Sequence, residues 1–198
     1  MLTTKALRTR QHLIEAAYAV LLEGGVESLT LDRVAARASV SKGALTYHFR
    51  SKRDLHKALI ESYIAHMNEE MDKYTSAFEG AEPDCLLAGY IEWFKGFERN
   101  NRGWAQVGLV LLSYFVHDDE MMAPVKEWYR ALFARIEALP SQRRNSALLC
   151  IMAMEGFFYA HKFGLDYISA RSKRALWPYM LDEVGDVHVK RVKTHVDY

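Results

Sequence analysis

Between Ser39 and Leu55 the chain reads SVSKGALTYHFRSKRDL, a run whose hydrogen-bonding side chains are grouped as packing alone does not require. Lys42 can reach a guanine edge or a phosphate, and Thr46 offers a hydroxyl together with a methyl that can meet thymine. Tyr47 and His48 are long, partly apolar donors suited to phosphate oxygens at the wall of a groove. Gly43 and Ala44 keep this stretch slim, so its backbone can come close to a duplex. Lys52 follows beside the free backbone N–H groups that open the next helix, a natural grip for phosphate.

The elements that must position these residues are short helices with legible ends. Residues 4–23 carry Ile14, Ala17, Val20 and Leu21 on one face, and Gly24 and Gly25 supply the stop. Thr30 caps a helix over 31–38 that turns Leu31, Val34, Ala35 and Ala38 inward. Ser39, Val40 and Ser41 form a turn, and Ser41 caps a helix over 42–48 whose Ala44, Leu45 and Phe49 face the core. Two short helices joined by three residues make a helix-turn-helix, whose second helix must carry polar side chains outward. Ser51, with Asp54 three residues on, opens a long helix with the stripe Leu55, Leu59, Tyr63, Met67, Met71, Tyr74 and Phe78. The spacing predicts that this helix runs to Gly80. Further helices are expected over 83–100, 102–116, 118–138, 141–163 and 172–183, with Pro124 within the first turns of the helix over 118–138 or dividing it from a short preceding turn. Residues 185–198 read as a loose basic tail.

Charge separates the two ends of the chain. Residues 1–57 carry ten Lys and Arg against five Asp and Glu, while the remainder carries a surplus of four acids. A basic head points to a polyanionic partner. Cys85 and Cys150 have neither metal-ligand nor disulfide spacing, and read as buried thiols of a reducing compartment. No signal peptide is expected, and the apolar run 148–160 is interrupted by Glu155 and too short to span a bilayer. A cytoplasmic protein without membrane contact follows as the expectation. There is no phosphate-binding Gly loop, H-E-x-x-H or nucleophile elbow, and the histidines lack ligand spacing, so neither an enzyme, a metal site nor a cofactor is expected.

From about Arg8 to Tyr63, and above all in the run HLIEAAYAVLLEGGVESLTLDRVAARASVSKGALTYHFRSKRDL, residues 12–55, the sequence resembles the DNA-binding domain of TetR-family transcriptional regulators. The carriers are the order and spacing of helix, Gly pair, Thr cap, helix-turn-helix, aromatic-His-Phe and Ser-Lys. One departure is Thr46, where the family often has Tyr, which points to a base-reading role for Thr46. The resemblance implies an all-α fold, with a three-helix helix-turn-helix head joined by a long helix to a larger ligand-binding and dimerisation body. The divisions expected are 1–52, 53–184 and 185–198. It implies operator DNA contacts at Thr30, Ser41, Lys42, Gly43, Ala44, Thr46, Tyr47, His48 and Lys52. It also implies a homodimer that represses until a small apolar or aromatic effector binds. An activator, or an architectural DNA-binding protein without effector, remains the alternative.

The body holds Trp93, Trp104, Trp128 and Trp177 and most of the Phe and Met. Family bodies of this kind hold a helix-lined cavity, and the candidates here are Tyr63, Met67, Trp93, Phe97, Trp104, Phe115 and Met122. The stretch 148–158 is apolar nearly all round, so one face of it should meet the body and the other a second subunit, with 172–183 beside it. Glu155 within it needs a partner. That partner is either a group on a neighbouring helix, Tyr159 one turn on, or a bound effector.

Overall fold

A computed structural model of the chain describes residues 4–100, 102–165, 167–184 and 190–192. The helices are α1 (Thr4–Gly24), α2 (Leu31–Arg37), α3 (Lys42–His48), α4 (Lys52–Thr75), α5 (Glu82–Asn100), α6 (Arg102–Phe115), α7 (Asp119–Glu137), α8 (Ser141–Lys162) and α9 (Ala170–Val184). Two short strands complete them, β1 (Phe78–Glu79) and β2 (Lys190–Arg191). The chain forms two compact units, one of residues 1–66 and 103–126 and one of residues 67–102 and 127–198.

In the first unit α1 buries Leu13, Ile14, Ala17, Tyr18, Val20 and Leu21, the stripe its spacing predicts. Gly25, at φ 70 and ψ −179, turns the chain out of the helix through a positive-φ conformation that glycine adopts without a Cβ penalty. Thr30 accepts from the Arg33 N–H at 3.2 Å, Ser41 from Ala44 at 3.1 Å and Ser51 from Asp54 at 3.0 Å, so all three expected caps form. Each is worth about 1 kcal/mol. The turn after α2 is a Schellman motif: Val40 donates to the Ala35 carbonyl at 3.0 Å and Ser39 to Ala36 at 3.1 Å. Ser39 occupies its left-handed position at φ 55, where glycine is the usual residue. Tyr18 donates to the Leu59 carbonyl at 2.6 Å, which pins α1 to α4. Segment 103–126 completes the unit. Trp104 stands edge-on to Tyr18 at 4.8 Å and stacks on His66 at 4.1 Å. Phe115 meets His56 at 5.1 Å. Gly108 lies so close to the Tyr63 ring that a Cβ there would overlap it.

The second unit contains the end of α4, where Met67, Met71 and Tyr74 are buried, together with α5, the later part of α7, α8 and α9. Helix α5 packs on α8, and α8 on α9. Gly89 on α5 crosses Thr75 so closely that a Cβ would sit 2.7 Å from its Cα and N. Arg143 on α8 holds the buried Asp84 of α5 at 2.6 Å.

Two expectations are corrected here. Helix α4 ends at Thr75, and Phe78 with Glu79 leaves it to pair antiparallel with Lys190 and Arg191. Ser76 caps the preceding carbonyl of Lys73 at 3.0 Å, and Ala77 donates to Tyr74 in a tighter turn, which unwinds the helix one turn early. The tail is accordingly not loose throughout: residues 190–191 form β2, and Val192 donates to Ala77 at 2.9 Å. The rest of the expected tail, 185–189 and 193–198, lies outside the described residues. Pro124 sits in the second turn of α7, where its missing N–H forfeits a single helical bond.

Candidate functional site

Helix α3 is held by two side chains and presents the others. Leu45 is fully buried and Phe49, its C-cap, is 2% exposed. Arg10 of α1 lies over the Phe49 ring at 5.3 Å and reaches Glu61 at 4.0 Å, so this arginine stabilises the anchor rather than standing free. Lys42, Gly43, Thr46 and Tyr47 share the opposite side of α3, at positions i, i+1, i+4 and i+5. Tyr47 is 71% exposed, an unusual placement for a tyrosine with no described partner beyond the edge of the His48 ring at 5.0 Å. His48 and Lys52 are half-buried, Thr30 and Ser41 are exposed, and so is Ala44, which corrects the expectation that it faces the core with Leu45 and Phe49. Thr46, half-buried, donates its hydroxyl proton to the Gly43 carbonyl at 3.1 Å. The nine residues expected to meet DNA thus fall on α3, its cap, the cap of α2 and the first residue of α4.

Two features of this face were not legible in the sequence. Asp32, in the first turn of α2, pairs with Lys42 at 2.8 Å. Both side chains are well exposed, so the pair adds little stability and mainly fixes where the ammonium rests. Arg53, one residue after Lys52, holds Asp118 and Glu120 at 2.8 Å each. Its guanidinium keeps the Asp118 carboxyl below the usual carboxylate range, and Asp118 also accepts from the Met121 N–H at 3.1 Å as the N-cap of α7. The start of α4 is therefore tied to the α6–α7 junction within the same unit. No sequence signal marks a pair 65 residues apart. Beside it, His56 is buried with Nε2 lacking a hydrogen-bond partner among the described residues, and burial lowers its pKa to about 4, helped by Lys52 and Arg53.

The candidate effector residues are divided between the two units. Tyr63, Trp104, Phe115 and Met122 belong to the first unit, and Met67, Trp93 and Glu155 to the second. The Trp104 ring is already engaged with Tyr18, Tyr63 and His66. Phe97 lies on α5, but its side chain is outside those described. Glu155, 9% exposed, has the neighbouring-helix partners that its setting demands. It accepts a short hydrogen bond from Tyr90 of α5 and one of 3.2 Å from Tyr129 of α7. Burial and the nearby Glu155 push both phenols well up, so the protons stay on the tyrosines. Among the described residues no group of His, Cys, Asp and Glu could hold a metal ion, and no helix is long and apolar enough to cross a membrane.

The exposed side of α8 is apolar as well. Leu149, Met152, Tyr159 and Phe163 are all at least 37% exposed, and Gly156, whose Cβ direction is open, completes their helical spacing. Leu176 and Tyr179 of α9 are exposed too.

The sequence profile of bacterial regulatory proteins of the tetR family matches residues 13–59, and that of the tetracyclin repressor-like C-terminal domain matches residues 84–183. The chain belongs to the TetR family. Its helix-turn-helix, α2 and α3, lies within the residues that match the regulatory-protein profile. The HTH-type transcriptional regulator BetI of Yersinia pestis is 32% identical over 83 residues, which is 42% of each chain. The chain thus spans about two-fifths of the length of the curated relatives it matches. A putative TetR-family regulator from Mesorhizobium loti shares the fold with a TM-score of 0.70, at 14% identity over 93% of this chain and 97% of that one. The multidrug binding protein EbrR, in complex with ethidium, has a TM-score of 0.64 at 18% identity over 87% of this chain and 97% of that one.

Proposed function

We propose that this TetR-family protein is a cytoplasmic homodimer that represses transcription from a two-fold-related operator and releases it when a small molecule binds the body. The observation that carries the DNA reading is the outward side of α3, where Lys42, Thr46 and Tyr47 are presented by a helix whose anchors, Leu45 and Phe49, are wholly buried. Thr46 reads a base, while Tyr47, His48, Lys52 and Thr30 hold phosphates. Residues 1–52 form the DNA-binding head, and residues 53–184 the ligand-binding and dimerisation body.

Support for the dimer comes from the apolar stripe of α8, which a soluble monomer would leave wet, and which Gly156 would let a partner helix approach. Support for the switch comes from α4, an uninterrupted helix from Lys52 to Thr75 that begins beside α3 and continues into the second unit. Ligand binding that moves α4 in each protomer would shift the heads from the spacing of about 34–36 Å that successive major grooves require. A coupling of about 1–3 kcal/mol changes operator affinity by about 5–150-fold, reciprocally with ligand affinity. The fold shared with a multidrug binding protein is consistent with a small-molecule effector.

The test is selection of DNA fragments by the purified protein, followed by affinity measurements on the recovered site. Thr46→Ala should change base preference, whereas Lys52→Ala should weaken every sequence alike and lower the salt slope by about one. Equal loss on all sequences for both variants would remove the base-reading role, and failure to recover any two-fold site would overturn the reading as a whole.

A further inference from the structure

The ion pair of Asp32 and Lys42 stands beside the outward side of α3 and does little for the fold. The Asp32 carboxylate holds the Lys42 ammonium through both oxygens, at 2.8 and 3.0 Å. Both side chains are well exposed, so their attraction is largely screened by water. Capping of α2 falls to Thr30, which takes the Arg33 N–H, and Ser41 caps α3 in the same way. Asp32 suits the first turn of α2 as any acid would, with or without a lysine in reach. A donor and an acceptor of opposite charge are thus held side by side where DNA is read.

A lysine standing alone here would serve a phosphate. Among Lys42, Gly43, Thr46 and Tyr47 it is the sole cation, and Asp32 offsets its charge at contact distance. Moving the ammonium to a phosphate would leave the carboxylate unpaired beside a polyanion, so a phosphate grip works against itself. Base edges behave differently. In the major groove guanine presents N7 and O6 as acceptors, and its cytosine presents an N4 proton. The base pair's own hydrogen bond joins O6 to N4 and sets them about 2.9 Å apart. The ammonium and carboxylate, 2.8 Å apart, match these neighbours in kind and in spacing. The ammonium has further protons for N7. A reversed C·G pair would set the carboxylate against O6, acceptor on acceptor. A T·A pair offers O4 and N6 in the matching order, but it lacks the second acceptor and its methyl crowds the ammonium.

We infer that Asp32 is a specificity-determining residue, which with Lys42 reads one G·C base pair in each half-site, the ammonium on guanine and the carboxylate on cytosine. The inference rests on the reading of α3 as the helix that enters the major groove, and it gives Lys42 a base instead of a phosphate.

Selection of sites from a random-sequence duplex pool, by the full chain and by Asp32→Ala, tests this. Sites chosen by the unmodified protein should carry G·C at one position of each half-site, and Asp32→Ala should lose that preference while keeping the others. On the selected site, preference for G·C over the exchanged C·G pair should fall about 5–30-fold in Asp32→Ala, within the range of a two-contact base readout. Random duplex should be bound more tightly by Asp32→Ala, with a salt slope steeper by about one, because the freed Lys42 gains a phosphate. N4-methylcytosine at the same position, whose methyl replaces the proton offered to Asp32, should weaken the unmodified protein about 5–30-fold and Asp32→Ala little. The methylated site decides on the unmodified protein alone if Asp32→Ala does not fold. Base preferences unchanged in Asp32→Ala, a loss shared equally by all sequences, or indifference of the unmodified protein to N4-methylcytosine at every cytosine of the site would overturn the inference. Any of these with a two-fold site still recovered sinks the Asp32 role alone, whereas recovery of no site sinks the regulator reading with it.

Discussion

Ser39 holds the turn of the helix-turn-helix in a conformation that suits another residue. Its φ of 55 places it in the left-handed region, and both Schellman hydrogen bonds depend on it staying there. A residue with a Cβ pays about 1–2 kcal/mol for that conformation. Its side chain is exposed and recovers little of the cost by burial. Glycine would relieve the strain but lose about 0.5–1 kcal/mol through the greater freedom of its unfolded chain. The balance for Ser39→Gly is a gain of about 0.5–1 kcal/mol, or about 1–4 °C in melting temperature for a chain of this size. Urea unfolding followed by far-ultraviolet dichroism measures it. The control is Lys57→Gly, at an exposed position inside α4, which should lose about 1 kcal/mol. If Ser39→Gly loses stability as the control does, the strain assigned to this turn is absent and the reasoning fails.

Other perturbations have defined outcomes. Gly89→Ala gains up to about 1 kcal/mol in helix propensity but drives a Cβ into the Thr75 backbone, so the net change should be a loss of about 1–2 kcal/mol in urea unfolding; equal or higher stability would refute the close crossing. His56, flanked by Lys52 and Arg53 and faced by Phe115 and Tyr114 of α6, has a folded pKa of about 4 against 6.5 when unfolded. Between those values the unfolded chain binds the extra proton, so His56 lowers stability as pH falls from 6.5 to 4, and His56→Leu should flatten that part of the stability profile. Met152→Glu places a charge on the exposed stripe of α8 and should give folded monomers by sedimentation; a dimer of unchanged affinity would move the interface elsewhere.

The legible part of this fold is the part governed by neighbours in sequence. Thr30, Ser41 and Ser51 cap because each needs only an N–H three residues on, and the stripe from Leu55 to Tyr74 follows from helical spacing alone. The end of α4 was misjudged because Phe78 continues the apolar pattern, while its strand partner Arg191 lies at the other end of the chain. Glu155 was marked by its apolar surroundings, but nothing local points to Tyr90 or Tyr129 as its partners. The same holds for Trp104, whose ring meets Tyr18 edge-on and stacks on His66, contacts that no spacing in the sequence marks. The pairs of Asp32 with Lys42 and of Arg53 with Asp118 join separate helices, and such pairs leave no spacing to read.

The first unit is built from two stretches of chain, residues 1–66 and 103–126, and this has a consequence for synthesis. The caps of α2, α3 and α4, and the α4 stripe as far as Tyr63, are complete soon after residue 66 leaves the ribosome. Trp104 and Phe115, which cover Tyr18 and His56, are not yet made. At about 5–20 residues per second, the roughly 60 residues from 67 to 126 take about 3–12 s to appear. Through that interval α1 and α4 carry an open apolar seam on every nascent chain. Codons that slow translation across 67–102 would lengthen it, lowering the yield of protein while leaving each finished molecule unchanged.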